Sequence, residues 1–74
     1  MGGPPMHPVD SSSIDAVGYD ADAQELHVRF VESGETYVYD GVPELVWRQL
    51  LHADSKGTFL NDRIRDVYAF RHAV

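Results

Sequence analysis

The stretch Glu25-Leu26-His27-Val28-Arg29-Phe30, followed by Val31-Glu32-Ser33-Gly34-Glu35 and Thr36-Tyr37-Val38-Tyr39-Asp40-Gly41, decides the fold. Leu26, Val28 and Phe30 alternate with Glu25, His27 and Arg29, the period of two that gives a strand one apolar face and one wet face. Ser33-Gly34-Glu35 reads as a turn, and Tyr37, Val38 and Tyr39 are strand-forming side chains closed by Asp40-Gly41. Two strands joined by a tight turn make an antiparallel hairpin. Upstream, Ile14, Val17 and Tyr19 add a further strand that ends at Asp20-Ala21-Asp22, so the first half is a three-stranded meander. The spacing of those three residues departs from a period of two, which predicts a bulge near Asp15–Ala16.

Pro43 marks a change of period. It suits the first turn of a helix, and Glu44 beside it complements the positive end of the helix dipole. Val46, Trp47, Leu50 and Leu51 then form a stripe one helical face wide, ended by His52-Ala53-Asp54. Ser55 is a candidate N-cap for a second helix running to about Arg65, with Phe59, Leu60 and Ile64 on one side. Val67 to His72 alternates again, with Tyr68 and Phe70 on one face, as a closing strand would. The order is β-β-β-α-α-β, an α+β fold with helices covering one side of a small antiparallel sheet.

At the other end, Met1 to Asp10 hold two glycines and three prolines without apolar periodicity, and predict a disordered leader over residues 1–10 ahead of a single domain over residues 11–74. The leader lacks the basic start and apolar run of a secretory signal, which sets a cytoplasmic expectation. Composition narrows the classes further. Seventy-four residues leave space for one small core, and no run of about 18 apolar residues is present to span a membrane. The absence of cysteine removes disulfides, a thiolate nucleophile and sulfur-ligated metal sites. A chain this small has little room for a deep cleft, so a binding module is expected in preference to an enzyme.

The charge is uneven. The chain carries 12 acidic residues against 6 Lys and Arg, net −6, but residues 1–47 carry net −8 and residues 48–74 net +2. A basic face in the second half can contact phosphate even on an acidic chain.

Ser13-Ile14, Gly18-Tyr19-Asp20, Leu26-x-Val28-x-Phe30, Gly34-x-x-Tyr37-x-Tyr39, Val42-Pro43, Ser55-Lys56-Gly57, Phe59-x-Asn61, Ile64-Arg65 and Tyr68 together resemble the KTSC domain. This short bacterial module is named for its place at the C-terminus of some lysyl-tRNA synthetases. Ser55 to Arg65 is the most specific stretch of the likeness, and the Y-x-Y at Tyr37 and Tyr39 its best-known feature. The family has no established activity, and the resemblance implies at most RNA or tRNA binding, the role its synthetase context suggests.

Four groups of residues carry candidate chemistry. Tyr37 and Tyr39 share a strand face and could stack unpaired bases. The competing reading puts them in the core with hydroxyls at the rim, since turning them outward would bring Thr36 and Asp40 inward with Val38; that reading is favoured. Ser55, Lys56, Gly57 and Asn61 stand where a helix N-terminus, a small residue and a cation could hold a phosphate or carboxylate. A helix junction in which Ser55 caps, Gly57 packs and Asn61 hydrogen-bonds a loop is the plainer alternative. Arg48, Arg63, Arg65 and Arg71 could join Lys56 on one basic face, or stand as separate solvated groups beside Asp62 and Asp66. His7, His27, His52 and His72 lack zinc-type spacing, so neither a metal nor a cofactor is expected. Two roles remain open. RNA recognition would use Lys56, Arg63, Arg65 and Arg71 with a rim tyrosine, whereas a protein-interaction or assembly role would use a strand edge or the Trp47 helix.

Overall fold

Seven elements follow one another in a computed structural model that describes residues 3–73: β1 (His7–Pro8), β2 (Ile14–Asp20), β3 (Glu25–Phe30), β4 (Thr36–Tyr39), α1 (Glu44–His52), α2 (Lys56–Arg63) and β5 (Phe70–His72). The strands form one antiparallel sheet in the order β1-β2-β3-β4-β5. The fold is α+β as the alternation predicts, with one strand more than expected. The register shift between Ile14 and Ala16 is the bulge that the irregular spacing of β2 requires.

Local chemistry sets the turns. After β2, the Asp20 carboxylate accepts the N–H groups of Asp22 at 3.1 Å and Ala23 at 3.2 Å, a side-chain substitute for a backbone turn. Gly34 closes the β3–β4 connection at φ 71°, a left-handed conformation that glycine adopts without steric cost. The exit from the sheet is tethered twice at Val42, which is fully buried. Its N–H donates to Gln24 O at 2.9 Å, and its carbonyl accepts the Tyr19 hydroxyl at 2.5 Å. From that point α1 and α2 lie across one sheet face, where Leu50, Leu60 and Ile64 meet Ile14, Val17, Leu26, Val28 and Tyr39. Trp47 stacks on Tyr19 at the margin of this core, with ring centroids 5.6 Å apart.

The structure departs from the sequence expectation in three places. The expected disordered leader is corrected for the described residues 3–10. His7 and Pro8 pair with Val17 and Ala16, and the chain before them crosses the second face of the sheet over Gly18. Proline fits there because the outer side of an edge strand has no ladder to complete, and Gly18 leaves the space. A Cβ on Gly18 would stand 2.6 Å from Pro5 O and 2.9 Å from Met6 Sδ. Met1, Gly2 and Val74 lie outside the described residues.

His27, placed by alternation on a wet face, is only 8% exposed, because Gly3 lies against its ring. Finally, α2 ends at Arg63 instead of Arg65, and β5 begins at Phe70 instead of Val67. The N–H groups of Val67 and Tyr68 both turn back to Ile64 O at 3.1 Å. Tyr68 therefore packs on the core from a turn and does not share a strand with Phe70.

Two outcomes check this architecture. Gly18→Ala should lift the N-terminal arm, lowering stability in urea by about 1–3 kcal/mol, the usual cost of overpacking, with loss of hydrogen-exchange protection at His7. Burial is the main cause that raises the phenol pKa of Tyr19, with Glu44 and Asp20 adding to it, and burial likewise raises that of Tyr39. Above the ordinary value of 10.0 the folded chain then holds more protons than the unfolded chain. Stability should be complete below that pH and fall as pH rises through it, a decline that Tyr19→Phe should soften in melts recorded from pH 8 to 11.

Candidate functional site

Two adjoining surface cavities gather most of the polar residues singled out in the sequence. The larger, of about 560 Å³, lies between α2 and the sheet. Its floor is Phe30, Tyr37 and Tyr39, and its α2-side wall is Leu60, Asn61 and Arg65. Cross-strand pairing builds the floor: Val28 opposes Tyr37 and Leu26 opposes Tyr39, so Phe30 falls beside Tyr37 on the helix-covered face. Phe30 meets the Tyr37 ring edge-on at 5.3 Å.

Tyr39 is buried in the core and Tyr37 half-buried, so the floor is core at one end and open at the other. Val38 is buried on the opposite face, between His27 and Arg71 in register. Burying it does not bury Asp40 unpaired, because Asp40 accepts Arg71 Nη1 at 2.6 Å. Tyr37 also stacks on Phe70 at 5.2 Å and meets His72 at 4.4 Å, so part of its ring surface is taken by the protein itself.

The electrostatics of this groove centre on Arg65. Its guanidinium is exposed and donates to Asn61 Oδ1 at 3.3 Å, a long bond to a neutral acceptor, and it has no carboxylate partner among the described residues. It lies near enough to the Tyr39 hydroxyl to oppose the upward pKa shift that burial imposes there. Asn61 keeps its amide N–H₂ as a donor, because only its oxygen is used by Arg65.

The smaller cavity, of about 370 Å³, is polar and sits at the start of α2, lined by Ser11 to Ser13, Asp10, Asp54 and Ser55 to Thr58 with Asn61. The residues expected to hold an anion have internal work here. Ser55 caps α2, its Oγ accepting Thr58 N–H at 3.3 Å. The Lys56 ammonium donates to Ala53 O at 3.1 Å, just past the end of α1, where a positive charge is favourable. Gly57 packs so tightly on Ser13 that a Cβ would collide with the Ser13 hydroxyl. Ser12, Ser13 and Asn61 line both cavities.

The remaining bases are dispersed. Arg71 is on the second face of the sheet, bonded to Asp40 at 2.6 Å and to Glu25 at 3.0 Å, so of the two readings the one that joins it to Lys56 on a single basic face is corrected. The reason is strand alternation: Arg71 opposes Val38, whereas Tyr37 and Tyr39 face the helices. Arg48 pairs with Glu44 along α1 at 2.9 Å, and Arg63 lies over the Phe59 ring at 6.0 Å. Among the described residues no group of three or more His, Asp or Glu side chains is placed to hold a metal ion, and no helix is long and apolar enough to cross a membrane.

The sequence reading missed Phe30 and the Phe70–His72 pair as site neighbours. Phe30 was visible as an apolar strand position, but its approach to Tyr37 depends on register.

A five-stranded antiparallel sheet with a helix pair on one face and an aromatic-floored groove between them defines a small α+β domain. The pattern of the KTSC domain matches residues 10–68, and the chain belongs to that family. It is 47% identical over 60 residues to a protein of Tsukamurella paurometabola, a match spanning 81% of this chain and 88% of that one. An uncharacterised protein of Stutzerimonas stutzeri is 45% identical over 53 residues, covering 72% and 73% of the two chains. The crystal structure of a KTSC domain protein from Yersinia pestis superposes with a TM-score of 0.90 at 38% identity, over 95% of this chain and 97% of that one.

Removing the cap should separate internal work from ligand binding at the α2 start. Ser55→Ala is expected to cost about 1 kcal/mol in urea unfolding of the isolated protein, the typical value of an N-cap. An unchanged midpoint would leave Ser55 without a structural role.

Proposed function

We propose that this chain is a non-catalytic binding module that receives a protein partner in the groove between α2 and β3–β4. The observation that carries this reading is the disposition of positive charge. Arg29, Arg48 and Arg71 are paired with carboxylates at 2.7, 2.9 and 2.6 Å, and Lys56 is held on a backbone carbonyl. A nucleic-acid backbone is held mainly by phosphate contacts from several cations arranged along a track. Arg63 and Arg65 alone do not make such a track, and Asp62 and Asp66 flank them. The groove offers an aromatic floor of Phe30, Tyr37 and Tyr39 with polar side chains converging from its walls, a combination suited to recognition. Its lining includes no histidine beside its serine hydroxyls, which supports binding over nucleophilic catalysis.

RNA recognition stands as the second reading. The aromatic floor beside Arg65 favours it, because bases stack on such side chains, and so does the synthetase context of the family resemblance. In that reading Arg63 and Arg65 meet phosphate while Tyr37 meets a base, and Lys56 must first leave Ala53.

Peptide-display selection against the immobilised protein, run beside titration of a fluorescent 12-nucleotide single-stranded RNA at 50 and 200 mM salt, separates the two. Selected peptides should lose at least tenfold in affinity against Asn61→Trp, an exposed substitution that fills the groove without entering the core. RNA binding tighter than that of any selected peptide, and falling at least tenfold between the two salt concentrations, would overturn the protein-partner reading.

A further inference from the structure

We infer that the groove recognises the C-terminal end of a partner chain, taking an aromatic last side chain on the Phe30–Tyr37–Tyr39 floor and its terminal carboxylate on Arg65. This rests on the protein-partner reading and adds the chemistry of the anchor. Charge complementarity selects the carboxylate. Three of the five arginines are already matched with acids, and Arg63 lies over an aromatic ring. Arg65 brings a guanidinium with no carboxylate partner among the described residues to a groove with an aromatic floor, held only by the neutral oxygen of Asn61. A guanidinium accepts a carboxylate through two parallel N–H···O bonds, which fixes the orientation as well as the charge.

Further donors are placed around the same point. The Asn61 amide N–H₂ is unused, and the Tyr39 hydroxyl has no hydrogen-bond partner among the described residues although the rest of its ring is buried. The aromatic part of the ligand follows from the floor. Phe30 already meets Tyr37 edge-on, and an incoming ring can extend that arrangement by offset or edge contacts.

The volume of about 560 Å³ lies within the range that takes one large side chain and its backbone. Val31, Glu32 and Ser33 of the β3–β4 turn line the cavity and are exposed, so the chain preceding the terminal residue can leave past them. Glu32, on that rim and exposed, accepts its main-chain N–H groups.

Isothermal titration with four probes tests the assignment: an acetylated Gly-Gly-Gly-Phe peptide with a free C-terminus, the same peptide amidated, N-acetylphenylalanine, and uridine monophosphate. The free-acid peptide should bind at least tenfold more tightly than the amide. Arg65→Gln, an exposed change, should bring the two within about twofold while leaving the melting temperature in place. Equal binding of acid and amide by the native chain would overturn the terminal-carboxylate assignment, yet leave the protein-partner reading intact if display peptides still depend on the groove. Tighter binding of N-acetylphenylalanine than of the peptide would overturn the partner terminus in favour of a small aromatic acid. Tighter binding of uridine monophosphate would overturn both the terminus and the protein-partner reading, and failure of both peptides to bind would likewise reject the terminus.

Discussion

The double tether at Val42 is the constraint on which the rest of the molecule depends. Its N–H and C=O are bonded to Gln24 and Tyr19, on the two sides of the β2–β3 turn, while its side chain is withdrawn completely from water. Burial of a valine is worth about 1.5–3 kcal/mol, and each backbone group left unpaired at that depth would cost a comparable amount. The chain therefore leaves β4 in one direction only. That direction carries α1 back across the sheet, lets Trp47 stack on Tyr19, and delivers α2 to the position where its Leu60 and Ile64 complete the core. The groove is a consequence: α2 covers the sheet as far as Tyr39 and stops short of Tyr37.

The second face of the sheet is finished by different means. One part is roofed by the N-terminal arm, which runs over Gly18 and His27. The rest carries ion pairs in place of an apolar cover, Asp15 with Arg29 and Arg71 with Asp40 and Glu25. These exposed pairs add little stability individually. Their consequence is electrostatic, because they occupy two of the six Lys and Arg side chains of an acidic chain, while Arg65 is the cation facing the groove. The net +2 of residues 48–74 thus overstates the basic surface they present.

Much of the fold was legible in the residues. The alternation of Leu26, Val28 and Phe30, the broken spacing from Ile14 to Tyr19, and the step from Asp40-Gly41 to Pro43 are local signals, and each gave its element or its bulge. The misplaced parts are those whose conformation is set from a distance. The arm is proline-rich and has no period of its own, so its attachment depends on the empty lane above Gly18. His27 has the neighbours of a wet-face residue and is buried only because Gly3 comes to lie on it. The site was legible in part. Ser55 as a cap follows from its place before a helix, whereas the distribution of Arg71 and Arg65 between opposite faces follows from strand pairing.

By itself the sequence determined the elements, the α+β class and the family likeness, because periodicity, turn chemistry and capping act over a few residues. Only the tertiary structure decided which side chains share a space. Phe30 meets Tyr37 through cross-strand register, Asn61 and Arg65 meet that pair through the packing of α2, and Arg71 is drawn away by carboxylates on β3 and β4. These contacts join residues far apart in the chain, and the one-residue alternation of a strand sends neighbours to opposite faces. A groove made in this way has no contiguous motif, since it comes into being only when the sheet and the second helix close on the same core.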